Sequence, residues 1–279
     1  MARRFAVAIP RPFALLSCAG ALLLITLLLR VAIPMYRRHE AICELEHLGA
    51  VVTTHPPEHR WLDRIGHDHN FGFENVFRVL ADGSHLDDEG MKHIAALGSA
   101  FEVSLDQTHV TNSGIARLYH LKDVYVVSLS DLEITDDGLS GVYLLRDLTE
   151  LRVDGTRLSD GGVEHLRRLT KLRKLSLDRT AITDRTLERL NSMVDLEYLS
   201  LSDTSVTDLG LKYLRPLRHL KTLFVDATQV TDIGLLELRA LRDLRELYLR
   251  DTRVTRSGTD ALTEAIPELK IVTKSWEPP

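Results

Sequence analysis

The stretch LRKLSLDRTAITDRTLERL, residues 172–190, decides the fold. Leu175 and Leu177 alternate with Lys174, Ser176 and Asp178, which predicts a short strand with its leucines inward and its polar residues on an open face. Thr180 marks a turn and Ile182 returns to the core. Thr183 and Asp184 then open a helix, because a Thr N-cap accepts from a free backbone N–H and an Asp in the first turn suits the helix dipole. Leu187, Leu190 and Met193 continue the inward face at a spacing of three. One strand and one short helix cannot bury an apolar face alone, so the unit needs copies of itself. It has them: Thr108, Thr156, Thr180, Thr204, Thr228 and Thr252 share one phase of a 24-residue period, with Ser84 holding it upstream and Leu132 breaking it. Two residues on stands an apolar position (Leu86, Val110, Ile134, Leu158, Ile182, Val206, Val230, Val254), and further along Gly90, Gly114, Gly138, Gly162, Gly210, Gly234 and Gly258 recur, Thr186 replacing one. The expected fold is an α/β solenoid, with a curved parallel sheet on the concave face and helices on the convex face.

The pattern LxxLxLxxTxITDxGLxxLxxL resembles the leucine-rich-repeat family, in its 24-residue cysteine-containing subtype, over about residues 79–272. Members of that subtype include substrate receptors associated with F-boxes and many bacterial proteins. No F-box precedes the repeats, so the resemblance implies a membrane-anchored, bacterial-type protein rather than a ubiquitin-ligase receptor. The last unit departs from the pattern, with Arg256 for Asp, Thr259 for Leu and one extra residue before Leu269; with Trp276, Pro278 and Pro279 it resembles a C-terminal cap.

Charge narrows the partners. Residues 1–38 hold Arg3, Arg4, Arg11, Arg30, Arg37 and Arg38 and no acid, leaving 29 Lys and Arg against 40 Asp and Glu in the remainder. An acidic body repels phosphate backbones at long range, so nucleic acid is not expected as a partner. Cys18 and Cys43 both precede the repeats, which excludes a disulfide or a cysteine metal cluster within them.

Residues 12–29 are uncharged, and at 1.5 Å per residue they span roughly 27 Å, close to the hydrocarbon thickness of a bilayer. With Val31, Ala32 and Ile33 extending the run, residues 12–33 are expected to be a transmembrane signal anchor. A cleaved secretory signal is the competing reading, but LLLRVAIPMYRR offers no small-residue cleavage site. The LLSC at residues 15–18 resembles a lipoprotein box, whose cut would fall early in the apolar run. Arginines flank the segment on both sides, and the short basic tail favours an orientation with the repeats outside the cytoplasm. The domain organisation expected is tail and anchor over 1–36, an N-terminal cap over 37–80, with its helix from Arg38 and a strand over 51–54, and repeats with a C-terminal cap over 81–279.

Several rows could be mistaken for chemistry. The Thr row is expected to be structural, each hydroxyl bonding the backbone of the neighbouring turn, and Asp136, Asp160, Asp184, Asp208 and Asp232 are read as helix-start residues. Asp106, Asp154, Asp178 and Asp226 could gather a hard cation, but Ser130 and Ser202 interrupt them. His55, His59, His67 and His69 have zinc-like spacing in the cap, but no cysteine joins them. No nucleophile elbow, phosphate-cradling loop or HExxH is present, so no catalytic residue, metal site or cofactor is assigned.

The residues that no repeat rule demands lie on the strand face. One outward row reads Ser104, Ser128, Arg152, Ser176, Ser200, Phe224, Tyr248, and its companion Glu102, Val126, Glu150, Lys174, Tyr198, Thr222, Glu246. Tyr198, Phe224 and Tyr248, with Glu246 and Arg250 at their rim and Arg152 and Lys174 nearby, form the expected protein-binding patch, because aromatics and Arg anchor interfaces. The function expected is a non-enzymatic membrane-anchored binder of an unidentified protein. The alternatives are a self-assembling envelope component and a metal-dependent protein using the His-rich cap.

Overall fold

The computed structural model describes residues 22, 25–26, 28–55 and 75–273. They form a ten-stranded sheet in chain order, β1 (Val51–His55), β2 (Asn75–Leu80), β3 (Glu102–Ser104), β4 (Val126–Ser128), β5 (Glu150–Arg152), β6 (Lys174–Ser176), β7 (Tyr198–Ser200), β8 (Thr222–Phe224), β9 (Glu246–Tyr248) and β10 (Lys270–Val272). β1 pairs antiparallel with β2, and every later pair is parallel. The β1–β2 pair shifts register between Thr53 and Thr54, whereas the parallel pairs keep theirs: Lys174 faces Tyr198, which faces Thr222, which faces Glu246. The 24-residue period of the sequence is thus the rise of one strand spacing, and the middle residue of each strand from β3 to β9, Val in the first two and Leu in the rest, is fully buried in one continuous core.

Each turn after a strand is sharp, and its cause lies in the backbone. Gly83, Gln107, Asp131, Gly155, Arg179, Asp203, Ala227 and Asp251, again 24 residues apart, all take φ between 53° and 65°. That left-handed conformation costs a non-glycine residue about 1–2 kcal/mol, less the extra entropy a glycine loses on folding. Ala227 has φ 53° and an exposed side chain, so Ala227→Gly is expected to stabilise the domain by about 0.5 kcal/mol, raising Tm by roughly 1–2 °C in a thermal melt. A lower Tm would contradict a strained turn.

The Thr that follows caps this turn differently from the expectation. Thr108, Thr156, Thr180, Thr204, Thr228 and Thr252 each donate to the carbonyl three residues back in their own turn, at 2.5–2.8 Å, rather than to the neighbouring turn. The short hydroxyl reaches only that carbonyl once the preceding residue is left-handed. Contact between turns is made by the longer carboxylates. Asp136, Asp160, Asp184, Asp208 and Asp232 do begin helices, and each also accepts from the backbone N–H and hydroxyl of the Ser or Thr that caps the next helix. That Thr in turn accepts from its own helix, as Thr207 does from Leu209 N and Thr231 from Ile233 N. Burial pushes the Asp160 carboxyl up, but the bonds from Thr186 and Thr183 outweigh it and hold the group below its ordinary range.

From Gly114 on, the glycine row admits the side-chain oxygen of the preceding helix-start residue, a carboxylate except at Gly138, where it is the Asn112 amide. A Cβ at Gly162 would stand 2.7 Å from Asp136 Oδ1, and at Gly138 2.7 Å from Asn112 Oδ1. Where Thr186 replaces the glycine, its buried hydroxyl donates to Asp160 Oδ1 at 2.7 Å, turning the approach into a bond.

At the N-terminal end a helix, Ile33–His47, buries Ala41 and Leu45 in the same core. It is already helical five residues before the expected start at Arg38, and a π-helical turn, Leu28–Ala32, runs into it without a side-chain cap. Arg38 Nε donates to Leu97 O at 2.8 Å and Leu48 O accepts from His85 N at 3.2 Å, so this helix runs opposite to those of the repeats. Among the described residues no helix is long and apolar enough to cross a membrane. The expected span over 12–33 lies largely outside the described residues, as do His59, His67, His69 and Trp276.

Candidate protein-binding face

The parallel register sets equivalent positions side by side, so Tyr198, Phe224 and Tyr248 on β7, β8 and β9 meet on the sheet face. Phe224 and Tyr248 stack with centroids 4.0 Å apart and planes 8° from parallel, and Tyr198 tilts against Phe224 at 5.4 Å. All three are half-buried. Burial, then the charge of Asp178, pushes the Tyr198 phenol up; burial, then Glu246, does the same for Tyr248. Both remain neutral hydroxyls at physiological pH, able to donate and accept. Tyr248 OH stands 3.4 Å from Glu246 Oε2.

Arg250 is fixed at the rim. Its Nε and Nη2 donate to Asp226 Oδ2 at 2.9 and 2.6 Å, while its backbone N–H donates to Oδ1 of the same Asp at 2.6 Å, and its guanidinium lies 5.7 Å from the Tyr248 ring centre. Arg152 and Lys174 converge instead on Glu150, at 2.6 and 3.1 Å, on β5 and β6, the two strands before the aromatics. The structure therefore brings Tyr198, Phe224, Tyr248, Glu246 and Arg250 together, and sets Arg152 and Lys174 beside them as an ion-paired cluster.

The serines of the outward row are not free surface. Ser104, Ser128, Ser176 and Ser200 are buried, and Ser128 and Ser200 donate to Asp106 and Asp178 of the preceding strands. The acidic row is likewise engaged: Asp106, Asp154, Asp178 and Asp226 each accept a backbone N–H from the next turn. Among the described residues no three His, Cys, Asp or Glu side chains are placed to hold a metal ion. Burial, followed by the charge of Asp154 and then Asp226, drives the Asp178 carboxyl up despite its bond from Ser200.

A raised folded pKa means that the native state binds more protons across the window, so this group costs stability as pH rises through it. Asp178→Asn keeps an Oδ1 that accepts from both Ser200 Oγ and Ser202 N. The variant should be more stable than the parent at pH 7, and the difference should shrink as pH falls through the range where Asp178 takes its proton. Urea unfolding from pH 4 to 8 checks this; a pH-independent difference would contradict it.

A second aromatic row escaped the reading of the outward positions. Phe77, Phe101 and Tyr125 stack at 5.0 and 5.1 Å where strands begin, and their shared 24-residue phase was the available signal.

The repeating strand–turn–helix unit, the unbroken parallel register and the leucine core match solved solenoids. An internalin (inlF) from Listeria monocytogenes is similar over 67% of this chain and 51% of its own, at 19% identity and TM-score 0.55. Internalin C2 (inlC2) of the same organism is similar over 72% of this chain and 81% of its own, at 26% identity and TM-score 0.58. The fold is a leucine-rich-repeat solenoid. The chain spans about half the length of inlF. No protein-family model and no curated protein sequence matches it. Within the leucine-rich-repeat frame, the buried Leu, Thr, Asp and Gly rows are accounted for by folding, and the sheet-face aromatics are left over.

Proposed function

We propose that this leucine-rich-repeat protein is a non-enzymatic, membrane-anchored module that binds another protein on its sheet face. The observation that carries the reading is the Tyr198, Phe224 and Tyr248 cluster with the fixed Arg250 at its rim. Rigid aromatics on adjacent strands lose little entropy on binding, and a pre-positioned guanidinium adds directional hydrogen bonding. In this reading residues 1–36 are tail and anchor, 37–80 the cap and 81–279 the repeats, held outside the cytoplasm. A photoreactive residue at position 222, between the rings, should yield a protein adduct in membranes, and one at position 209 on the helix face should not. Adducts at 209 alone would overturn the sheet-face site.

Self-association is the second reading, favoured by Leu209, Ile233 and Leu236, which are 69%, 70% and 52% exposed on the helix face. Concentration-dependent sedimentation that Leu209→Lys and Ile233→Lys abolish would establish it.

A further inference from the structure

The two edges of the solenoid carry opposite charge. Along the edge where helices end and strands start, the linkers 121–125, 143–149, 167–173, 191–197, 215–221 and 239–245 hold 12 Lys and Arg against 5 Asp and Glu. Along the opposite edge, residues 105–112, 129–136, 153–160, 177–184, 201–208 and 225–232 hold 12 acids against 2 arginines. The acidic edge is explained by the fold, since its carboxylates bridge successive turns. On the basic edge Lys171 pairs with Asp147, Arg173 and Lys221 with Glu197, and Arg215 with Glu237, also across turns, but its five acids leave seven cations in surplus.

The same basic edge exposes apolar side chains. Phe101, Tyr119, Leu144 and Val194 are 37%, 51%, 43% and 47% exposed there. It is also where the chain arrives. The helix Ile33–His47 runs antiparallel to the repeat helices, and its Arg38 meets Leu97 at the end of the helix Met91–Ala96. Residues 33–37 therefore project past the strand-start edge by roughly 7 Å, and the uncharged run of residues 12–29 precedes them.

We infer that the strand-start edge is a membrane-contact surface that lies against anionic lipid headgroups, with the acidic edge turned away from the bilayer. The inference rests on the anchor proposed above and adds the orientation of the solenoid on its membrane. A tethered cationic edge is already at high effective concentration at the surface, so each Lys or Arg need contribute little to hold it flat. Exposed aromatics nearest the tether suit the headgroup region, where amphipathic rings collect. A sheet face standing edge-on to the bilayer remains open to a partner from the side.

The test uses the full chain, reconstituted into vesicles of phosphatidylcholine alone or with phosphatidylglycerol added, and reads amine acetylation by mass spectrometry. Lys122, Lys171 and Lys221 lie on the basic edge, and Lys92 follows the opposite one. On anionic vesicles the three edge lysines should label several-fold more slowly than on neutral ones, and Lys92 equally on both. The slowing should disappear at high salt and in an Arg146→Glu, Arg218→Glu variant that still floats with the vesicles. Co-flotation with equal labelling on both lipids overturns the inference alone. Failure to float with either lipid overturns the anchor, and the inference with it.

Discussion

Replacing Leu201 by Asp is expected to remove the cooperative unfolding of at least the turns on either side of it. Leu201 is fully buried, in a ladder with Leu177, Val225 and Leu249 that runs through the core at the strand ends. Losing the leucine from such a site costs about 2–5 kcal/mol by itself, and an unpaired carboxylate in the same place adds several more unless it takes up a proton. Because each turn of a solenoid contacts only its neighbours, the damage should stay regional: amide exchange should accelerate around β6 to β9 while β2 to β4 retain protection. Unchanged thermal unfolding would refute the inward assignment of this strand position.

Gly234→Val should be the second largest effect, about 2–3 kcal/mol, although glycine is usually a poor residue for a helix. A Cβ at this position would overlap Asp208 Oδ1 and stand 2.9 Å from Leu211 Cδ1. The carboxylate cannot step aside cheaply, because it holds Thr231 through both its backbone N–H and its hydroxyl. The mechanism makes a sharper claim than a loss of stability. With Asp208→Ala already in place, Gly234→Ala should cost less than it does in the parent, a coupling of about 1 kcal/mol measurable by a double-mutant cycle. Additive costs would show that backbone packing, and not the carboxylate, dictates the glycine.

What the sequence made legible was everything that repeats in the same residue type. The 24-residue phase of Thr, Leu and Gly located each strand, turn and helix, and the outward rows picked out Tyr198, Phe224 and Tyr248 as neighbours before any ring distance was known. Three features were hidden for separate reasons. The left-handed turn row was masked because Gln107, Asp131, Arg179, Ala227 and two glycines share a conformation without sharing chemistry. The glycine row was visible but its cause was not, since the obstructing carboxylate arrives from the preceding turn. The reversed N-terminal helix follows from the antiparallel pairing of β1 with β2, which a helix-period pattern cannot express. The burial of Ser104, Ser128, Ser176 and Ser200 likewise depends on neighbouring strands.

The sheet-face site is tested most directly by crosslinking capture from membranes, comparing the full-length protein with a Tyr198→Ala, Phe224→Ala, Tyr248→Ala form whose circular dichroism and melting match a folded solenoid. The aromatics are half-buried on the face and outside the leucine core, so the variant should fold. The account predicts one protein recovered by the parent and lost by the variant. Recovery of the same protein at the same yield by both would contradict it.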